Sequence, residues 1–151
     1  ESISALRQLS EKYRNLEIEV VGRIEYSELP ELHRKAWALV FPSIWEEPLP
    51  YAVVEAIALG TVPIASGVGG VVELLSDTLA SRCIFAPGMH TGLVEKLVDF
   101  CTLSADEVET LGLKLSRDVL AKLDQNKIQE RIVQIFSNAI KPLVAAYGDG
   151  E

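Results

Sequence analysis

Residues 41–73 read FPSIWEEPLPYAVVEAIALGTVPIASGVGGVVE, the stretch that decides the fold. A short apolar strand over residues 38–41 leads through a loop into a compact helix over residues 51–59. Residues 62–65 form the next predicted strand, and a glycine-rich loop then enters a helix near residues 71–76. Strand, helix and strand in this order, with strands that are apolar throughout, are typical of a parallel sheet covered by helices on both faces.

The same alternation extends to both sides of this stretch. Leu16 to Gly22 is predicted as a strand upstream, and Cys83 to Ala86 as another downstream. We therefore expect an α/β fold, a doubly wound, Rossmann-like parallel sheet with a helical C-terminal segment, in one domain over residues 1–151. The spacing of apolar residues predicts further helices over residues 3–14, 28–37 and 91–102 and around residues 128–139. Another helix is predicted to begin after a capping box formed by Ser104 and Glu107.

The chain opens with a helix, whereas units of this kind normally open with a strand. We expect residue 1 to lie inside a longer protein, just after a missing strand. A natural N-terminus is the alternative.

Composition excludes several classes of protein. The chain has 151 residues, 48% of them hydrophobic, which allows a full core, and a net charge of −8, which argues against a nucleic-acid binder.

No run of about 18 apolar residues could span a bilayer and no signal peptide opens the chain, so we expect a cytoplasmic protein, with peripheral membrane contact left open for the full-length form. Cys83 and Cys101 are too few for a zinc site and are expected to be free, buried thiols.

Two glutamates carry the strongest chemical signal. Glu47 lies in the loop before the predicted helix. Glu55 is the only charged residue of that helix, which is otherwise apolar all round and therefore expected to be buried, so that an unpaired carboxylate in it is costly. Pro50 suits the first helical position, so the free N–H groups of Tyr51 and Ala52 would form a phosphate site with the helix dipole. A phosphate site between two carboxylates suits a sugar nucleotide. The alternative is that Glu47 is solvated and Glu55 is a buried structural acceptor, because glutamates at this spacing are common.

The whole stretch resembles the signature of glycosyltransferase family 4. The shared pattern is a Glu, seven residues, a second Glu followed by Ala, a helix end of small residues, a proline-containing strand and a Gly-Gly-x-x-Glu loop. Members have the GT-B fold, in which two Rossmann-like domains face a cleft. The resemblance implies that this chain is the C-terminal, donor-binding domain of a retaining glycosyltransferase.

The resemblance also implies roles for individual positions. Glu47 would be the catalytic residue near the donor sugar, Glu55 would bind the ribose, and Glu73 would hold its own loop. Backbone N–H groups for the sugar and diphosphate would come from Leu49, Tyr51 and Ala52. The nucleobase would be lined by Gly22, Arg23 and Ile24.

This sequence departs from the family pattern in two ways. Pro48-Leu49-Pro50 stands where many members have Gly-Phe-Gly, which removes an N–H and stiffens the loop. The Arg and Lys that clamp the diphosphate in the family would precede residue 1, as would the acceptor-binding N-terminal domain. We expect the chain alone to be inactive, and the full-length enzyme to transfer a sugar from a nucleoside-diphosphate sugar, without metal or cofactor, to a saccharide or lipid-linked acceptor on the missing domain.

Other functions stay open. One is a non-catalytic module that binds a sugar nucleotide or a protein partner. Another is a different GT-B enzyme, such as a nucleotide-sugar 2-epimerase or a glycan phosphorylase, although no lysine is a candidate for binding pyridoxal phosphate. The patterns of nucleophilic triads, phosphate-binding loops and dinucleotide-binding loops are absent. Trp45, beside the acids, is expected to pack against a partner domain rather than to stack on a sugar.

Overall fold

The structure is a computed structural model that describes the backbone of residues 2–147 and the side chains of residues 3–140. The chain divides into two compact units, Glu1–Leu32 and His33–Glu151, and each is described by itself. The second unit contains the whole sheet and therefore the core.

Three parallel strands, side by side in chain order, form the sheet. They are β1 Leu39–Phe41, β2 Pro63–Ser66 and β3 Ile84–Phe85. Val40 lies opposite Ile64 in the register of β1 with β2. The strands predicted around these positions are confirmed, because apolar runs without polar alternation are what a sheet buried on both faces requires.

Helices make up most of the remaining chain, and those predicted from apolar spacing are confirmed. No helix within residues 2–147 combines the length and apolarity needed to cross a bilayer. A single 3₁₀ segment, Leu79–Cys83, precedes β3, and another, Tyr26–Glu28, precedes the second helix. The α-helices are α1 Ser2–Lys12, α2 Leu29–Lys35, α3 Tyr51–Ala58, α4 Gly70–Leu75, α5 His90–Cys101, α6 Ala105–Lys122 and α7 Gln125–Tyr147.

The strand predicted from Leu16 to Gly22 is wrong. This segment has no regular secondary structure, and Val20 and Val21 are about half exposed. Extended backbone is stabilised as a strand only when a neighbour supplies the cross-strand hydrogen bonds. In the described part of the chain the sheet has no fourth strand, so the apolar pattern of this segment has no ladder to join.

Apolar side chains pack on both faces of the sheet. On one face α3, α4 and α6 cover Leu39, Phe41 and Ala65. On the other face α5 and the first turns of α6 cover Ile64 and Phe85. Neighbouring residues of a strand point to opposite faces, so β2 and β3 contribute to both layers, whereas Val40 of β1 is exposed. This arrangement confirms the predicted doubly wound α/β fold with a helical C-terminal segment.

Helices α3 and α6 approach closely at a pair of glycines. Gly60, at φ +82°, ends the turn after α3 in a conformation that favours glycine. A Cβ added to Gly112 of α6 would lie 2.0 Å from the Gly60 carbonyl oxygen. The absence of a side chain at Gly112 therefore lets α6 lie against the end of α3.

The predicted capping box at the start of α6 is confirmed. The Ser104 hydroxyl accepts a bond from the Glu107 N–H at 3.3 Å, and the Ser104 N–H donates to the Glu107 carboxylate at 2.8 Å. The backbone and hydroxyl bonds from Ser104 hold the pKa of Glu107 below its usual range. The N-terminus of the long helix is thus closed by its own first turn.

Only one of the two cysteines is buried. Cys83 lies in the core, where burial raises the pKa of its thiol. Cys101 is exposed, contrary to prediction, because Phe100 takes the inward position at the end of α5 and the next residue is turned about 100° away.

Gly112→Ala should lower the free energy of unfolding by about 1–3 kcal/mol, because the new methyl group meets a backbone oxygen that cannot move alone. Gly92→Ala is the matched control: Gly92 is also a buried helical glycine, but its added Cβ would lie 3.5 Å from the Phe85 Cβ, an ordinary contact. It should leave stability unchanged or raise it by up to about 1 kcal/mol. Urea unfolding of both variants measures this, and equal effects would contradict the close approach.

Glu107→Ala should reduce stability at neutral pH and have little effect in acid. The folded-state pKa of Glu107 is lowered, so its contribution is present above its unfolded pKa and is lost as the pH falls through its folded pKa. Thermal unfolding of wild type and variant from pH 7 down to about pH 3 should show the difference in melting temperature shrinking. A difference independent of pH would mean that the carboxylate charge is not involved.

Candidate functional site

The candidate residues gather at the carboxyl ends of the strands. The loop after β1 covers residues 42–50, the loop after β2 covers 67–69, and the loop after β3 includes residues 86–88. Because the strands are parallel, these three loops leave the sheet at one edge, where ligands bind in open α/β sheets.

Buried Ser66 fixes the start of the loop after β1. Its hydroxyl lies within hydrogen-bond reach of two carbonyl oxygens of that segment, those of Ser43 and, at 3.3 Å, Phe41. The Ser43 hydroxyl in turn accepts a bond from the Trp45 N–H at 3.2 Å. The end of β2 thereby holds the path of the chain up to the two acids.

The acidic loop and the glycine loop interlock through two hydrogen bonds. The Gly69 N–H donates to the Glu46 carboxylate at 2.7 Å, and the Gly70 N–H donates to the Glu47 carbonyl oxygen at 2.9 Å. Gly69 has φ +42°, and an added Cβ would lie 2.2 Å from that carbonyl oxygen. A Cβ on Gly70 would lie 2.1 Å from the Pro48 carbonyl oxygen. Both glycines are needed for this contact.

Glu46 therefore has a role that the sequence does not single out. Its carboxylate turns toward the glycine loop, whereas the neighbouring Glu47 is exposed and its carboxylate makes no hydrogen bond with the described residues. Glu73, which was expected to hold this loop, is exposed in the first turn of α4 and makes no such bond either. The contact that holds the loop comes from Glu46, and the only signal for it in the sequence is the Gly-Gly pair that accommodates it.

The start of α3 leaves backbone donors open. Pro50 is the N-cap, at ψ 95°, rather than the first helical residue as predicted, and no side chain caps the helix. The Pro50 carbonyl accepts bonds from the Val53 and Val54 N–H groups. The N–H groups of Tyr51 and Ala52 then have no acceptor among the described residues, because the first N–H groups of a helix have no partner within the helix and no side chain caps this one. They are available to an anion.

Leu49 adds a third open donor just before the helix. It lies between Pro48 and Pro50, neither of which has an N–H, and its own N–H bonds to no group in the described part of the chain. The backbone from residue 48 to residue 52 thus offers three donors, at Leu49, Tyr51 and Ala52.

The environment of Glu55 decides between the two interpretations of this residue. The prediction that α3 is buried all round is wrong: Val53, Ala56 and Ile57 are buried, while Tyr51 at the helix start is 72% exposed. Only one side of the helix packs against the sheet and α6. Glu55 is half-buried, and its carboxylate makes no hydrogen bond with the described residues. It is not a buried structural acceptor, and its carboxylate is open to a ligand.

The three predicted nucleobase positions lie in the first unit. Gly22, at φ +71°, begins a bend through Arg23, and Ile24 after it is half-buried. The positive φ explains the glycine, since other residues rarely adopt it. Because Gly22, Arg23 and Ile24 belong to residues 1–32 and the glutamates to residues 33–151, the two groups are described separately.

The loops at the carboxyl edge carry acids and no basic residue. The sequence contains no Lys or Arg between Lys35 and Arg82, a span that includes Glu46, Glu47 and Glu55. Within the described residues, no three His, Cys, Asp or Glu side chains are grouped so as to hold a metal ion. Attraction of an anion to this edge therefore depends on the backbone donors and the α3 dipole.

Two cavities lie at the opposite, amino edge of the sheet. One, of about 280 Å³, is lined by Arg82, Cys83 and Lys96 among others, and the second, of about 360 Å³, by Trp37 and Thr61 among others. Neither cavity is lined by Glu46, Glu47 or Glu55.

Comparison with known proteins identifies relatives of the chain. The family described as glycosyl transferases group 1 matches residues 4–112. Among solved structures, the chain is similar to sucrose-phosphate synthase from Thermosynechococcus elongatus, with a TM-score of 0.67 and 22% identity. The likeness covers 92% of this chain and 34% of that enzyme, so the chain spans about a third of its length. No curated protein matches the chain.

Gly70→Ala should disrupt the contact between the acidic and glycine loops, because its methyl group would overlap the Pro48 carbonyl. We expect a loss of about 1–3 kcal/mol in unfolding free energy and faster amide hydrogen exchange at residue 70, whose N–H bonds to Glu47. Gly88→Ala, in the loop after β3, is the control, since nothing lies within 4 Å of its added Cβ and only its φ of +72° is unfavourable. Unchanged protection at residue 70 would show that the loops do not need this contact.

Proposed function

Because the chain belongs to the glycosyl transferases of group 1 and has the fold of a GT-B glycosyltransferase domain, we propose that it is the donor-binding half of a retaining glycosyltransferase. The full-length protein would transfer a sugar from a nucleoside-diphosphate sugar to a saccharide or lipid-linked acceptor. The observation that carries this proposal is the set of open N–H groups at the start of α3, flanked by two carboxylates that bind nothing else in the described chain.

The diphosphate is assigned to the start of α3. Tyr51 and Ala52 present uncapped N–H groups there, and the dipole of the eight-residue helix favours negative charge at this end. Leu49 would donate to the sugar or to the phosphate next to it. These donors are fixed before the ligand arrives, so they can stabilise charge that develops as the diphosphate leaves.

Glu55 is assigned to the ribose. Its carboxylate can accept bonds from two neighbouring hydroxyl groups, and it lies one turn beyond the proposed phosphate donors on the same helix. Its half-buried position strengthens such bonds compared with bonds in bulk water. Gly22, Arg23 and Ile24 are assigned to the nucleobase.

Glu47 is assigned to the transferred sugar as the catalytic residue. Its backbone is held by the Gly70 N–H, while its exposed side chain stays free. A carboxylate on a fixed loop can orient the sugar hydroxyls and stabilise positive charge at the anomeric carbon as its bond to the diphosphate breaks. The acceptor hydroxyl would then attack from the face that the diphosphate leaves, so that the new glycosidic bond replaces the bond to the diphosphate and the hydroxyl proton goes to the departing diphosphate.

The remaining elements of the proposal concern the full-length protein. The acceptor would bind on an N-terminal domain, and the cleft between the two halves would exclude water from the reaction. We propose that transfer needs no metal or cofactor, that the isolated chain is inactive, and that the enzyme works in the cytoplasm or at a membrane surface.

The loops of residues 36–81 carry no Lys or Arg, which is compatible with one alternative as well as with an enzyme whose diphosphate-binding cations precede residue 1. A module that binds a sugar nucleotide without turnover needs less stabilisation of a leaving diphosphate than an enzyme does. The loops contribute no cation of their own between Lys35 and Arg82. Release of free nucleoside diphosphate by the full-length protein with acceptor present would favour the enzyme; binding without any release would favour the module, and an epimerised nucleotide sugar would indicate a 2-epimerase.

Titration of the full-length protein with UDP, GDP and ADP sugars tests the proposal. Glu55→Ala should weaken binding of the accepted donor about ten- to hundredfold, because hydrogen bonds to a charged acceptor contribute about 1.5–3 kcal/mol. Glu73→Ala is the matched control: Glu73 is another acid at the same edge, exposed, and its carboxylate makes no hydrogen bond with the described residues. It should bind the donor as wild type does.

Two results would contradict the proposal at different levels. If wild type binds none of the three donors, the proposed function is wrong. If wild type binds one and Glu55→Ala binds it equally well, the assignment of Glu55 to the ribose is wrong while the donor-binding function stands.

A further inference from the structure

Trp45 has the largest exposed fraction of the large hydrophobic side chains in the described chain. Its side chain is 74% exposed, compared with 48% for Trp37, the other tryptophan. Single exposed apolar side chains are ordinary at a protein surface, but Trp45 stands two residues from Glu47 and next to Ile44, which is 66% exposed, so this exposed apolar surface lies at the candidate site. Trp45 is not covered by the described residues, and its expected packing against a partner domain stays a prediction.

The exposure of Trp45 does not come from a loosely held loop. Its own N–H bonds to the Ser43 hydroxyl, and the next residue, Glu46, accepts a bond from Gly69. Buried Ser66 bonds to the carbonyl of Ser43 just before it. The backbone on both sides of the indole is therefore fixed, and little backbone entropy remains to be lost when a ligand contacts the ring.

We propose that the Trp45 indole stacks against the sugar ring of the donor and is a specificity-determining residue of the site. The inference rests on the proposed function. A pyranose has one face of C–H groups and a rim of hydroxyl groups. An aromatic ring can bury the C–H face of the sugar, and the Glu47 carboxylate on the same loop can accept hydrogen bonds from the hydroxyl groups of its rim.

The order of residues along the site assigns Trp45 to the sugar rather than to the base. The proposed phosphate donors, Tyr51 and Ala52, lie at the start of α3. Glu55 and the ribose lie on the helix side of the diphosphate, whereas Glu47 and the sugar lie on the loop side. Trp45 is two residues beyond Glu47 on that loop side, at the sugar end of the donor.

The test compares each free nucleoside diphosphate with its sugar form. The dissociation constants of UDP, UDP-glucose, GDP, GDP-mannose, ADP and ADP-glucose are measured for full-length wild type, Trp45→Ala, Trp45→Phe and the control Trp37→Ala. Trp45→Ala should weaken binding of the accepted sugar nucleotide about three- to tenfold and leave binding of the matching free nucleotide unchanged, as expected for loss of one aromatic contact. Trp45→Phe should restore most of the loss, and Trp37→Ala, at the amino edge, should have no effect.

Other outcomes overturn the inference. Equal weakening of the free and sugar-linked nucleotide by Trp45→Ala would place the indole on the base or phosphate. A lower melting temperature of the unliganded Trp45→Ala variant would mean that Trp45 packs against another part of the full-length protein. Unchanged binding of both forms of the nucleotide would mean that Trp45 packs there or contacts the acceptor. Failure of wild type to bind any of the six probes would refute the proposed function, and the inference with it.

Discussion

The backbone contact between residues 46–48 and the Gly69-Gly70 pair is the constraint on which the site depends. Two loops that follow different strands come within van der Waals contact there, and hydrogen bonds to Glu46 and Glu47 close it. The contact fixes the direction in which the chain enters α3, and with it the open N–H groups of that helix. It also ties one of two adjacent carboxylates, that of Glu46, to the glycine loop and leaves that of Glu47 without a partner among the described residues. The structural role thus falls to Glu46 and the proposed chemical role to its neighbour.

Sequence patterns predicted the sheet and its helices because local and tertiary preferences agree there. Apolar runs ended by Pro or Gly around residues 39–41 and 63–66 favour strands covered by helices, and β2, which lies between its two neighbours, is fully buried. The segment Leu16 to Gly22, in which apolar residues alternate with glutamates before Val20 and Val21, forms no strand, because pairing depends on a neighbour that the segment's own residues do not encode. For α3, apolar composition overstated burial, since a helix at the carboxyl edge packs on one side only.

The candidate site could be predicted in part. The open donors at Tyr51 and Ala52 follow from a proline at a helix start, which is local information, although the sequence placed Pro50 one position too far into the helix. The division of roles between Glu46 and Glu47 could not be predicted. It depends on which carboxylate faces a glycine loop more than twenty residues away, and identical side chains at adjacent positions give no signal. The exposure of Trp45 likewise depends on tertiary packing.

The two prolines that flank Leu49 have a consequence for recognition by the backbone. A peptide loop without proline presents an N–H at every residue, and a ligand can shift along it while keeping most of its bonds. Pro48 and Pro50 remove alternate donors and fix the local φ angles, so the remaining N–H of Leu49 is separated from those of the helix start. With this spacing, a ligand oxygen atom that is shifted by one residue along the loop meets a proline ring instead of an N–H donor. In the proposed site, this rigidity of the loop would select the geometry of the ligand and reduce the tolerance for other sugar nucleotides.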